Sequence, residues 1–199
     1  IEIADLNGDN IEDMAVVNGG TSFFSNLSVY EGDGVGGFVG RTNYQLGGFE
    51  ISNNGAIADI NNDGRKDVIL SRAYGSPNHL WTYEQSAFGD LNSVQMLPSG
   101  AGAEIVESAD INQDGLDDLV LLHRNGSGSF LGYHLQSENG MGEEVLIALP
   151  QPSHYEEESL ALGDLNNDGC LDAAIADFNQ GVLVFYGEGC VNEADLSVS

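Results

Sequence analysis

One nine-residue pattern occurs four times along this chain of 199 residues. Asp5-Leu-Asn-Gly-Asp-Asn-Ile-Glu-Asp13 returns as Asp59-Ile-Asn-Asn-Asp-Gly-Arg-Lys-Asp67. It returns again as Asp110-Ile-Asn-Gln-Asp-Gly-Leu-Asp-Asp118 and as Asp164-Leu-Asn-Asn-Asp-Gly-Cys-Leu-Asp172. The starts lie 54, 51 and 54 residues apart. Spacing this regular marks one supersecondary unit copied along the chain, each copy burying its apolar face on the next.

The flanks of the pattern repeat too, and they give the fold. A small residue precedes each copy (Ala4, Ala58, Ala109, Gly163), as a strand crowded by its neighbours requires. Position 2 is always apolar (Leu6, Ile60, Ile111, Leu165), an anchor for tucking the loop onto a core. After position 9 come Met14–Val17, Val68–Leu70, Leu119–Leu122 and Ala173–Ala176, too short for helices and expected as strands buried on both faces. A third strand is expected at Leu27–Tyr30, His79–Tyr83, Phe130–His134 and Val182–Tyr186, where aromatic and β-branched residues suit a pleated surface. Weaker fourth strands fall at Thr42–Leu46, Ser93–Leu97 and Glu144–Leu149. The fold expected is all-β: four antiparallel four-stranded repeats of about 53 residues, arranged as blades of a β-propeller. The blades would run over about 1–50, 51–101, 102–155 and 156–190, with 191–199 either a last strand or the start of a following domain.

The acidic loop has the chemistry of a calcium site. Calcium takes six to eight oxygens at about 2.3–2.6 Å. In a tightly curled loop, positions 1, 3 and 5 turn inward together: Asp5, Asn7, Asp9; Asp59, Asn61, Asp63; Asp110, Asn112, Asp114; Asp164, Asn166, Asp168. Position 7 (Ile11, Arg65, Leu116, Cys170) would offer its backbone carbonyl, which leaves the residue type free to vary. Position 9 (Asp13, Asp67, Asp118, Asp172) would close the shell with another carboxylate. Position 6 must turn sharply, which suits Gly64, Gly115 and Gly169 and, less well, Asn10. An EF-hand needs an acid at position 12 and flanking helices; Val16, Leu70, Leu121 and Ile175 stand there instead. Up to four calcium ions are therefore expected.

Charge narrows the partners. Thirty-two acidic residues face five basic ones, a net −27, so nucleic acid and anionic lipid surfaces are excluded. Twelve of the acids sit at motif positions 1, 5 and 9; the other twenty give a generally acidic surface. No run of about 18 apolar residues is present to cross a membrane. The chain starts without Met and ends in strand-like sequence, the expected look of a piece of a longer polypeptide.

These motifs, with Leu27-Ser-Val-Tyr-Glu-Gly-Asp-Gly-Val-Gly-Gly-Phe38, resemble the FG-GAP and VCBS-type repeats of integrin α-chain propellers and bacterial surface proteins. The resemblance spans essentially the whole chain. It implies a calcium loop between the first two strands of each blade, a ring of six to eight blades, and an extracellular or cell-surface setting. The Phe-Gly and Gly-Ala-Pro elements of the integrin-type repeat are not recognisable.

Cys170 and Cys190 flank a hairpin expected to turn near Asn179–Gly181. Pairing about residue 180 would set them opposite each other within disulfide reach; two free thiols are the alternative. His79, His123, His134 and His154 show no metal-ligand spacing, and no nucleophile elbow, zinc-protease motif or phosphate loop occurs. Glu156, Glu157 and Glu158 read as a solvated turn, and Trp81 as packing. The expected role is binding of a protein or glycan, not catalysis. A polysaccharide-active propeller body and a structural spacer are the alternatives.

Overall fold

The computed structural model describes residues 1–18, 26–45, 52, 54–72, 79–100, 102–125, 128–149, 159–177, 180–190 and 195–198. The expectations placed on Leu46, His154, Glu156 to Glu158 and Asn179 lie outside these residues. The rest forms four antiparallel sheets, each with four strands in chain order. The first holds Glu2–Ala4 (β1), Asp13–Asn18 (β2), Asn26–Gly32 (β3) and Phe38–Gln45 (β4). The second holds Gly55–Ala58 (β5), Asp67–Leu70 (β6), His79–Tyr83 (β7) and Gln95–Pro98 (β8).

The third contains Ala103–Ala109 (β9), Asp118–Asn125 (β10) and Gly128–His134 (β11). A two-residue hairpin, Gln136–Ser137 (β12) and Gly140–Met141 (β13), precedes its outer strand Val145–Ala148 (β14). The fourth contains Ser159–Gly163 (β15), Asp172–Asp177 (β16), Gly181–Glu188 (β17) and Asp195–Val198 (β18). Because β18 pairs along β17, the fourth sheet extends past residue 190.

The sheets stack face to face, with β1, β5, β9 and β15 adjoining in that order. Three apolar clusters fill the gaps. Leu27 and Val29 meet Leu70, Trp81 and Tyr83 between the first and second sheets. Ile69 and Leu80 meet Leu119 and Leu121 between the second and third. Val120, Leu122 and Tyr133 meet Ala173, Ile175 and Phe185 between the third and fourth. Strand β10 shows the cause directly: alternate side chains leave a pleated strand on opposite faces, so consecutive leucines and valines serve two different gaps.

Burial on both faces, expected for all four second strands, holds only in the middle. Val68–Leu70 and Leu119–Leu122 are wholly buried. In β2, Met14 and Val16 are only partly covered, and in β16 Ala176 is exposed. Among the described residues, the first and fourth sheets have a neighbour on one side only. The position-2 anchors obey the same rule. Leu6, Ile60 and Ile111 are buried because each packs into the gap before the next sheet, whereas Leu165, with no next sheet among the described residues, is 54% exposed. Crowding before the motif is likewise real at fully buried Ala58 and absent at Gly163, where an added Cβ would meet nothing within 4 Å.

One buried polar contact ties the third sheet to the chain entering it. Glu144, its side chain 4% exposed, hydrogen-bonds His123 and accepts from Gly100 N at 2.5 Å and Ser99 Oγ at 3.2 Å. Burial pushes its carboxyl up, but the His123 and Gly100 hydrogen bonds outweigh that and hold it below 4.5. A depressed folded pKa means the stabilisation is complete above about 4.5 and disappears as pH falls through the lower folded value. Glu144→Ala is expected to cost about 1–3 kcal/mol at neutral pH, with the gap to wild type closing in acid. Urea unfolding at several pH values measures it, and a pH-independent gap would refute the assignment.

Candidate functional site

Each acidic loop joins the first two strands of its sheet, and its own side chains curl it. The position-1 carboxylate accepts backbone N–H groups from the far side of the turn. Asp59 takes Asp63 N at 3.0 Å and Gly64 N at 2.7 Å; Asp110 takes Asp114 N and Gly115 N at 3.0 and 2.9 Å. Asp164 takes Asp168 N at 3.2 Å and Gly169 N at 3.0 Å, and Asp5 takes Asn7, Gly8 and Asn10 N. Burial pushes the Asp5 carboxyl up, yet the backbone donors together, Asn10 first, bring it below its ordinary value.

The position-3 amide oxygen then accepts the position-5 N–H in all four loops, at 2.9, 3.1, 3.1 and 2.8 Å for Asn7, Asn61, Asn112 and Asn166. The position-5 carboxylate accepts the position-7 N–H in turn, at 2.8, 3.0, 2.9 and 2.8 Å for Asp9, Asp63, Asp114 and Asp168. Asx turns of this kind hold a short polar loop in one shape without a core of its own.

Positive φ is needed twice per loop. Position 6 has it at Asn10, Gly64, Gly115 and Gly169, as expected. Position 4 has it as well, at Gly8, Asn62, Gln113 and Asn167, which the sequence reading missed. Gly and Asn there were the signal; both tolerate the left-handed region. Gln113 tolerates it less well, and its side chain gives the reason: it donates to Gly169 O in the next loop.

The position-9 aspartates are the most buried acids of the motif, at most 1% exposed. One oxygen accepts the position-2 N–H and the other an N–H at the end of, or just beyond, the third strand. For Asp13 these are Leu6 and Gly32, at 3.0 and 2.9 Å; for Asp67, Ile60 and Gln85, at 3.1 and 2.8 Å. For Asp118 they are Ile111 and Gln136, at 3.0 and 2.7 Å; for Asp172, Leu165 and Gly187, at 2.8 and 3.0 Å. Burial pushes Asp67 and Asp118 up to about 6 against these hydrogen bonds, and nearby carboxylates (Asp63 and Glu84; Asp114 and Asp110) push the same way.

The loops are also joined to one another. Gln85 Nε2 donates to Asp5 O at 3.1 Å, binding the second sheet to the first loop. Asp117 Oδ2 accepts both Asp59 N at 2.8 Å and Lys66 Nζ at 2.6 Å, binding the second loop to the third. Gln113 links the third to the fourth.

Cys170, at position 7 of the fourth loop, forms a disulfide with Cys190, Cα to Cα 5.4 Å. The route differs from the one expected. The hairpin registers Asp177 on Gly181 and Ala173 on Phe185, two residues short of the expected pairing. Both cysteines lie beyond the ladder, and the turn at Gly189, with φ 65°, brings Cys190 back to the loop. The bridge closes about 20 residues. Replacing both cysteines by serine is expected to cost about 3 kcal/mol in urea unfolding; a loss below about 1 kcal/mol would mean the fourth sheet holds its shape without it.

Every candidate donor in these loops is oxygen, which suits a hard cation such as calcium. An ionised carboxylate has about four acceptor positions, so position 9 keeps capacity after its two N–H bonds. Among the described residues, no three His, Cys, Asp or Glu side chains by themselves form a metal-binding group. An ion here would also draw on the position-3 amide and the position-7 carbonyl. In the third and fourth loops, Asn112 and Asn166 at present donate Nδ2 to the position-5 carboxylate, at 2.9 and 2.8 Å.

No curated protein matches the chain. The family model for the FG-GAP-like repeat matches three overlapping stretches, residues 5–70, 59–121 and 110–175. Each stretch opens on one acidic loop and closes in the strand after the next, so that together they cover most of the sequence. The chain belongs to the FG-GAP-like repeat family.

Proposed function

We propose that this chain is a calcium-stabilised recognition module, an arc of an extracellular β-propeller, and that it binds a protein or glycan without catalysing a reaction. One observation carries the calcium reading: all four loops repeat an oxygen-only donor set on the same doubly left-handed curl. Face-to-face sheets with adjoining inner strands support the propeller, and six to eight blades would complete the ring. FG-GAP-like repeats and an intrachain disulfide are typical of extracellular proteins. The loops and turns between rigid sheets supply the recognition surface.

Equilibrium dialysis against radiolabelled calcium tests the ion sites. The expected result is up to four ions per chain, and one fewer for Asp114→Ala. No bound ion at millimolar calcium would end this reading. A glycan and protein array tests the recognition role; an empty array would favour a spacer, and unsaturated products from a pectin panel would favour an enzyme body.

A further inference from the structure

We propose that Arg65 is a resident counter-ion that makes the second loop the weakest of the four cation sites, an inference that rests on the calcium reading above. In every loop one oxygen of the position-5 carboxylate is taken by the position-7 N–H. The other oxygen is the one left for an ion. In the third and fourth loops its partner among the described residues is the neutral amide of Asn112 or Asn166, which carries no charge for an ion to displace. In the second loop the Arg65 guanidinium pairs with it on Asp63, while Arg65 Nε donates to Gln85 O at 3.0 Å. The guanidinium is thus held at both ends over the carboxylate that calcium needs.

Of the nearby charges, Lys66 is paired with Asp117 and Glu84 acts on Asp67, whereas Arg65 is the cation paired with the position-5 carboxylate itself. Calcium entering the second loop must displace a positive charge or bind beside it, and neither cost arises at Ile11, Leu116 or Cys170. With the guanidinium side chain about one-third exposed, solvent screens the repulsion, leaving an expected penalty of roughly tenfold in affinity.

Amide NMR of the intact chain during calcium titration reads the loops separately through Gly8, Gly64, Gly115 and Gly169. Gly64 is expected to respond at roughly tenfold higher calcium than the other three. Arg65→Gln should bring it into line, and Leu116→Arg should move Gly115 to higher calcium, which tests the rule in a second loop if the first variant folds poorly. Coincident midpoints in the native chain, or variants that leave the midpoints unmoved, would overturn the role of Arg65 while leaving calcium binding intact. Glycines that ignore calcium altogether would overturn the calcium reading itself.

Discussion

Calcium added to the chelated protein is expected to raise its Tm by roughly 20 °C or more, the largest effect foreseen for this chain. Each site that binds only the folded form adds about 2.7 kcal/mol at a calcium concentration 100 times its Kd, so four together reach about 11 kcal/mol. For a domain of this size each kcal/mol moves Tm by about 2–4 °C. The electrostatic cause is plain in the sequence: four doubly charged ions would offset eight of the 27 excess negative charges, at the points where carboxylates crowd one another. Magnesium should do much less, because its small octahedral shell gives up water reluctantly. Circular dichroism melts in EDTA, calcium and magnesium decide it. Identical melts in EDTA and calcium would show that the loops fold on their own hydrogen bonds alone.

Asp118→Ala is expected to destabilise the chain by about 3–5 kcal/mol even without calcium. Its two oxygens hold Ile111 N and Gln136 N in a fully buried position, and alanine would strand both donors. Hydrogen bonds to a charged group are worth about 1.5–3 kcal/mol each, and an orphaned buried N–H costs more than a lost surface contact. Asp114→Ala is the comparison, since that side chain lies toward solvent. Urea unfolding in EDTA should show a large loss for Asp118→Ala and about 1 kcal/mol or less for Asp114→Ala. Equal losses would mean that position 9 is not a clamp.

The repeat made most of the fold legible. Copies about 53 residues apart located each loop, and the apolar run after position 9 located each second strand. Features set by a neighbour were not legible. Leu165 looks like Leu6 in sequence, but among the described residues no following sheet packs over it and it is exposed. Position 9 reads as a metal ligand by spacing alone, while its clamp depends on N–H groups about 15 to 19 residues away, at Gly32, Gln85, Gln136 and Gly187. The disulfide was found through a hairpin register two residues out, because the turn at Gly189 leaves no mark beyond one glycine among many. The position-4 conformation was readable from Gly8, Asn62 and Asn167, yet Gln113 obscured it by trading backbone comfort for a bond to the next loop.

The links from loop to loop, through Gln85, Asp117 and Gln113, bear on affinity. A partner lying across two loops would meet groups already fixed in mutual register. It would forgo much of the ordering entropy, about 0.5–1.5 kcal/mol per immobilised side chain, that separate flexible loops would demand at the moment of contact.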